Sequence, residues 1–462
     1  MKERKYNKLN EKLIGRFITE RSYPIDKLIR PVNNLLRNKP VSGVLLFLAV
    51  VVAMVWANSP WRETYHHLWT MPFSVGFGEN YMISKTLHHW INDGLMAVFF
   101  FVVGLEIKRE VMAGDLSTWK KASLPAAAAV GGMIFPAIIF SIFNWGTPTE
   151  SGWGVPMATD IAFTLGVLSL LGNRIPLSLK LFLTALAIVD DLGAVLVIAF
   201  FYTDNLLLLY LEYGAAFLAF LLLLNFLGVR RTRVYAIVGI CGLWYAFLLS
   251  GVHATIAGVL LAFTIPAKAR INKRGFINHV KTLLDKFQRT KSAEGQYLSE
   301  EEHEIIEEIK EEREKIETPL QKLEYSLNPF VSFFILPLFA LANAGIEIQP
   351  ESWSGLLEPV SIGIVTGLII GKCLGILSFS ALFVKLGIAE LPKNTNWGTI
   401  AGASIMAGIG FTMSIFISEL AFEDPAVKAQ AKLAILIAST LAGIIGMLVI
   451  KAFIGKKKEA TN

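Results

Sequence analysis

Charge is scarce in this sequence and cysteine scarcer still. Lys, Arg, Asp and Glu together make up 17% of the 462 residues, against 54% hydrophobic ones. A soluble chain of this length scatters charge and interrupts its apolar runs. Here the apolar residues gather in segments of about 20, the helix length that crosses ~30 Å of hydrocarbon. Counting soluble domains by length is therefore excluded. The 2 cysteines, Cys241 and Cys373, both fall in apolar segments. That excludes a disulfide framework or a cysteine metal cluster and leaves small hydrophobes packed between helices. The first 40 residues are rich in Lys and Arg but lack a short apolar core ending in a small-residue cleavage site. They read as a retained cytoplasmic tail, not a signal peptide. A formal net charge of +6 would suggest nucleic acid only if the basic residues formed one face. They sit in the loops, so no nucleic-acid partner is expected.

What is present is a set of membrane-crossing segments. Twelve spans are predicted, near 41–58, 87–111, 122–144, 154–172, 177–202, 205–228, 233–250, 252–267, 329–346, 357–384, 397–419 and 430–453. Positive residues mark loops that stay inside. Lys108, Arg109, Lys120 and Lys121 follow the second span, Arg174 and Lys180 the fourth, and Arg230, Arg231 and Arg233 the sixth. Lys385 and Lys393 follow the tenth, and Lys456 to Lys458 end the chain. The intervening loops are nearly bare, with no Lys or Arg in 145–153 or 346–356. The fold class expected is an all-α integral membrane protein in the inner membrane of a bacterial cell, with both termini cytoplasmic. Its parts are a cytoplasmic tail (1–40), eight spans (41–267), a charged and partly helical cytoplasmic insert (268–328), four spans (329–453) and a cytoplasmic tail (454–462).

Two stretches are too polar to span. Residues 59–86, with Trp61, Tyr65, Trp69 and a Gly76–Phe77–Gly78 turn region, suit an external hairpin. Within the insert, Ser299 followed by Glu302 has the form of a capping box, opening a charged run from Glu300 to about Lys322. It reads as a solvated helix with salt-bridged faces or, alternatively, as a regulatory arm. Trp56, Trp61, Trp90, Trp119, Trp145, Trp153 and Trp397 cluster at segment ends, as an interfacial belt against the lipid bilayer does.

Four charged residues stand where lipid should forbid them: Asp160 in the fourth span, Asp190 and Asp191 in the fifth, and Lys372 in the tenth. Each costs roughly 2.5–3.5 kcal/mol at a membrane helix centre. An internal staple between Lys372 and one aspartate explains one pair and leaves two carboxylates without a structural reason. Ion exchange supplies one. A hard monovalent cation needs oxygen ligands, and a carboxylate adds charge. A carboxylate buried beside another ionises less readily, because desolvation and repulsion both favour its protonated form, and the pair titrates as a unit. Such a site binds a proton or a sodium ion in competition, which couples the two fluxes. Adjacent residues lie about 100° apart on a helix, so one aspartate faces the ion pathway and the other a neighbouring helix, where Lys372 is the candidate partner.

The surroundings suggest interrupted helices. The fourth span opens with Gly154 and Pro156 and carries Thr159–Asp160, followed by Gly166; the eleventh is broken by Gly402, Gly408 and Gly410 before Phe411–Thr412. Interrupted helices in corresponding halves point to a transporter's binding site. Asp160 is placed to compensate positive helix ends and Lys372 negative ones. Gly363, Gly367 and Gly371 form a small-residue stripe that permits close helix contact and implies that Lys372 is held against a neighbour.

The segments ATDIAFTLGVLSLLGNRIP (158–176), ALAIVDDLGAV (185–195), GLEIKRE (104–110), SGVHATIAG (250–258), LPLFALANAG (336–345) and GIGFTMSIF (408–416) resemble the bacterial NhaA family of sodium/proton antiporters. The resemblance runs from about residue 40 to the C-terminus, interrupted by the insert. That family is itself a known instance of inverted repeats with broken helices. The resemblance implies twelve helices, with spans three to five and ten to twelve related by inversion and the fourth and eleventh broken. It implies electrogenic exchange of Na+, and Li+ with it, against H+, in the service of pH and sodium homeostasis, with no cofactor. Asp191 would be the principal ion ligand and Asp190 would join it in binding ion and protons while pairing with Lys372. Thr159 and Asp160 would stand at the helix break. Glu106, Arg109 and Glu324 would lie where the family senses pH, although Tyr325 and Asn328 occupy a region where the family pattern has histidines. His253 matches a family motif, yet a lone histidine on an apolar helix is more often a hydrogen-bonded packing residue. Asp93 is a minor candidate for a polar funnel. The 59–86 hairpin resembles the family's dimer-forming element and implies a homodimer.

Two rival classes share some of these features. A sodium-coupled symporter of organic anions, or an exchanger of other ions, fits the same fold, but a symporter needs a larger polar cavity and no adjacent aspartates beside a lysine. An intramembrane aspartyl protease also shares a proton between two carboxylates, but places them on different helices, so no catalytic residue is expected.

Overall fold

In hydrocarbon every backbone N–H and C=O must find its partner within its own segment, and the apolar segments accordingly fold as helices. The computed structural model describes residues 39–77, 81–203, 206–290, 297–348 and 353–454. The N-terminal tail, the Gly78 end of the turn region and the Lys456–Lys458 cluster lie outside the described residues. In chain order the elements are α1 (Lys39–Ala57), α2 (Arg62–Thr70), β1 (Pro72–Phe77), β2 (Tyr81–Thr86), α3 (Leu87–Ala113), α4 (Trp119–Asn144), α5 (Ile161–Ser169), α6 (Leu177–Phe201), α7 (Leu208–Phe226) and α8 (Thr232–Ser250). They continue with α9 (Ala254–Thr264), α10 (Lys273–Arg289), α11 (Glu300–Ile316), α12 (Pro319–Asn343), α13 (Pro359–Lys385), α14 (Trp397–Met406), α15 (Phe411–Ala421) and α16 (Pro425–Phe453).

Among the described residues 8 unbroken helices are long and apolar enough to cross a membrane, or up to 10 spans if each of two bent pairs counts as one. The chain is an all-α membrane protein, but length and apolarity do not by themselves deliver the expected twelve crossings. Predicted span 154–172 is not a continuous helix. A 3-10 segment, Glu150–Met157, gives way to extended residues before the nine-residue α5. Predicted span 252–267 holds only the 11-residue α9, which starts after Gly251 turns the chain at φ 83°. The eleventh span is broken as expected, α14 and α15 meeting at a 47° bend.

One boundary moves markedly. The ninth span was expected to begin at 329, but α12 begins at Pro319, capped by Thr318, whose hydroxyl accepts from Gln321 N at 3.2 Å. Of the polar residues in 320–328, Glu324 is only 4% exposed, while Lys322, Tyr325 and Ser326 stay exposed. The insert contains a helical hairpin of α10 and α11, and α11 opens with the Ser299–Glu302 capping box. Strands β1 and β2 form an antiparallel ladder in which Pro72 faces Thr86 and Phe77 faces Tyr81.

The glycine stripe of α13 sets the tightest helix contact. A Cβ on Gly375 would lie 2.1 Å from Gly131 O, and one on Gly371 2.8 Å from Pro136 Cα. The backbones of α4 and α13 therefore touch, as small residues allow. A widened π turn at Gly367–Gly371 ends at Lys372, a distortion frequent at functional sites.

Candidate ion-binding site

The two broken segments cross and bond to each other at and beside their breaks. Asp160 N donates to Ile409 O at 2.7 Å, Thr159 Oγ1 to Ala407 O at 2.8 Å, and Ser414 Oγ to Val155 O at 2.8 Å. These bonds satisfy carbonyls that the interrupted helices leave open. Glycine lets the break pack closely on two sides: a Cβ on Gly408 would sit 2.1 Å from Leu368 O of α13, and one on Gly410 3.0 Å from Ala158 O of the other broken segment.

Asp160 serves the N-termini of both half-helices. Its Oδ1 accepts from Phe163 N at 2.9 Å, and its Oδ2 accepts from Thr412 N at 3.2 Å and from Thr412 Oγ1. A carboxylate there offsets the positive ends of α5 and α15. Lys372 Nζ donates to Asp190 Oδ2 at 2.6 Å and to Thr159 Oγ1 at 2.9 Å. Through Thr159 the ammonium reaches the carbonyl end of α14. Lys372, Asp190, Asp191, Thr159 and Asp160 are all at most 3% exposed. Asp191 turns the other way. Among the described residues no hydrogen bond ends on its carboxylate, and it faces a cavity of about 10 Å³ bounded also by Asp160, Phe99, Leu336 and Thr412. That volume is about one water-sized sphere: room for a small dehydrated cation, and none for an organic anion.

A second cluster joins α3 to α12. Arg109 lies 2.8 Å from Glu110, 3.3 Å from Glu324 and 3.8 Å from Glu106, so the three candidates read from the sequence do meet. Glu110 joins them, and Lys108 Nζ donates to Phe263 O and Ile265 O at 2.6 Å. His253 Nδ1 lies 3.1 Å from Thr255 Oγ1 and its ring stands edge-on to Phe416; Asp93 lies 2.9 Å from His89 and 3.8 Å from His253. Neither His253 nor Asp93 lines the Asp191 cavity. Thr412 was passed over as a partner of Asp160, and its one sequence signal was its place just past the Gly408–Gly410 break.

Residues 33–450 match the family described as Na+/H+ antiporter 1. The chain belongs to this family of antiporters. Its relatives include the Na(+)/H(+) antiporter NhaA of Oleidesulfovibrio alaskensis, 52% identical over 438 residues that cover 94% of this chain and 97% of the relative. The Na(+)/H(+) antiporters NhaA of Koribacter versatilis and Wolinella succinogenes are 46% and 47% identical over 430 residues each, covering 93% and 92% of this chain and 93% and 94% of those proteins. The antiporter exchanges Na+ for H+ across the membrane in which its helices sit.

Proposed function

We propose that Na+ and H+ compete for Asp191, while Asp190 is held by Lys372 and released from it during the cycle. The observation that carries this reading is the unequal treatment of two neighbours. Lys372 stands 2.6 Å from Asp190, whereas the Asp191 carboxylate faces a cavity of about 10 Å³. A deprotonated Asp191 supplies charge and oxygen for a dehydrated cation; a protonated one releases it. Li+, smaller and equally hard, fits the same ligand. Exchange is electrogenic, with more H+ than Na+ moved per turn.

The Arg109 end of the molecule is cytoplasmic in this reading, along with both termini, because the basic loops gather there. Sodium approaches past Glu106, Arg109 and Glu324, which set the pH at which transport begins. The β1–β2 ladder, with Phe73 and Val75 exposed, pairs with a second copy to make a homodimer.

The test uses everted membrane vesicles energised to an acid interior, with a pH-sensitive dye. Sodium and lithium are expected to release protons at pH 7 to 8.5, and Asp191→Asn to abolish the release. Full proton release by that variant would remove Asp191 from the ion site.

A further inference from the structure

A large cavity lies away from the aspartates. It measures about 760 Å³ and is bounded by α2, the ends of α12 and α15 and the start of α16. At its floor Glu419, the α15 carboxylate, is only 10% exposed, with Lys432 at 2.6 Å and Lys428 at 3.3 Å, both from α16. At its rim Glu347 is matched by Arg62 at 3.8 Å and His66 at 2.9 Å. The exposed Glu423 and Asp424 precede α16 and do not line the cavity. The floor therefore holds two ammonium groups against one carboxylate, a net charge of +1.

Helix geometry ties this floor to the ion site. On α12, Leu336 bounds the Asp191 cavity, Phe339 is fully buried, and Asn343 bonds to His88 and to Asn92, each at 2.9 Å. On α15, Thr412 bounds the Asp191 cavity, Phe416 is fully buried, and Glu419 reaches the floor. Residues three, four and seven apart share a helix face, so on α15 the order is ion site, phenylalanine, polar floor, and on α12 Asn343 takes the third place by holding His88, which lines the cavity. Phe100 of α3 closes the layer, its ring 5.6 Å from that of Phe416, with Phe339 6.2 Å from the same ring. This one layer of phenylalanine separates the Asp191 cavity from the lysines of the floor.

We propose that Lys428, Lys432 and Glu419 form an electrostatic filter at the external mouth. Their excess positive charge weakens rebinding of Na+ from outside, so that exchange favours export. This rests on the orientation given above. Cations feel the summed charge lining such a mouth, and a unit charge about 10 Å from the passing ion alters its occupancy by about twofold to about tenfold as the effective dielectric falls from that of water to about 25.

The experiment compares right-side-out with everted vesicles from a host lacking its own sodium exchangers. It reads the medium Na+ concentration that half-saturates 22Na+ exchange without a pH gradient. In right-side-out vesicles Lys432→Met is expected to lower that concentration by about twofold to tenfold, and Glu419→Gln to raise it by a similar factor. Lys428→Met, at a more exposed position (26% against 14%), repeats the fall should Lys432→Met fail to fold, and Lys432→Arg leaves the value in place. Everted vesicles, with the other face to the medium, are expected to show no change. Shifts of the same sign for the Lys and Glu variants would overturn the filter and make the bond a mechanical latch. Unchanged values, or equal shifts in both vesicle types, would also overturn it. Opposite shifts confined to everted vesicles would overturn the external placement.

Discussion

The ammonium of Lys372 and the carboxylate of Asp190 stand 2.6 Å apart with the side chains 0% and 1% exposed, joining α13 to α6 across 182 residues of sequence. A charge so placed is tolerated only with its partner. Removing one member of a buried pair typically destabilises by ~3–5 kcal/mol, whereas replacing both with neutral groups of similar volume is often harmless. Lys372→Ala is therefore expected to lower the thermal unfolding midpoint of the detergent-solubilised protein markedly. The double variant Lys372→Met with Asp190→Asn is expected to recover most of that loss, and equal losses in both would show that the pair contributes nothing of its own.

The crossing of the broken segments depends on bare backbone. Gly408→Ala places a methyl 2.1 Å from Leu368 O, a backbone atom that cannot swing aside, whereas Gly443→Ala meets nothing nearer than 3.5 Å. The first substitution is expected to cost several kcal/mol or force the crossing apart, with transport lost. The second is expected to leave both transport and melting temperature near those of the parent. Dye-coupled transport and a melting curve on each variant decide it.

Arg109 holds three carboxylates, those of Glu106, Glu110 and Glu324, within 3.8 Å. Removing a positive charge from among carboxylates favours their protonated forms. If this cluster sets the onset of transport, Arg109→Ala moves the pH of half-maximal exchange to higher pH, while Arg109→Lys moves it less. Rate against pH in vesicles is the measurement. A profile of unchanged midpoint and reduced height would assign Arg109 a purely structural part.

Outside the membrane, the Lys315 ammonium 2.6 Å away and the His279 ring at 3.1 Å hold the Glu312 carboxyl below the usual carboxylate range. A lowered folded-state value stabilises above the unfolded value of about 4.3 and is lost as pH falls through the lowered one. The α10–α11 hairpin is accordingly expected to hold its contacts at neutral pH and to loosen in acid. Distance labels on the two helices, read against pH, should report that transition, and Glu312→Gln should remove the part that depends on this carboxyl.

Much of this molecule is local information, and the sequence by itself determined it. Runs of about 20 apolar residues define a membrane protein. Asp160, Asp190, Asp191 and Lys372 were conspicuous because hydrocarbon makes each one costly, and Gly408 and Gly410 beside Thr412 announced a break. Hydropathy and periodicity do not carry partnership. Which aspartate takes Lys372 is a matter of how α6 and α13 face each other. The extension of α12 back to Pro319 brings Glu324 against Arg109 of α3, a contact between segments far apart in the sequence. The meeting of Glu419 with Lys428 and Lys432 has no local signal, since the carboxylate and the lysines stand on two helices that only the fold brings side by side. Local pattern decides what a residue costs in a membrane; packing between distant segments decides what it does there.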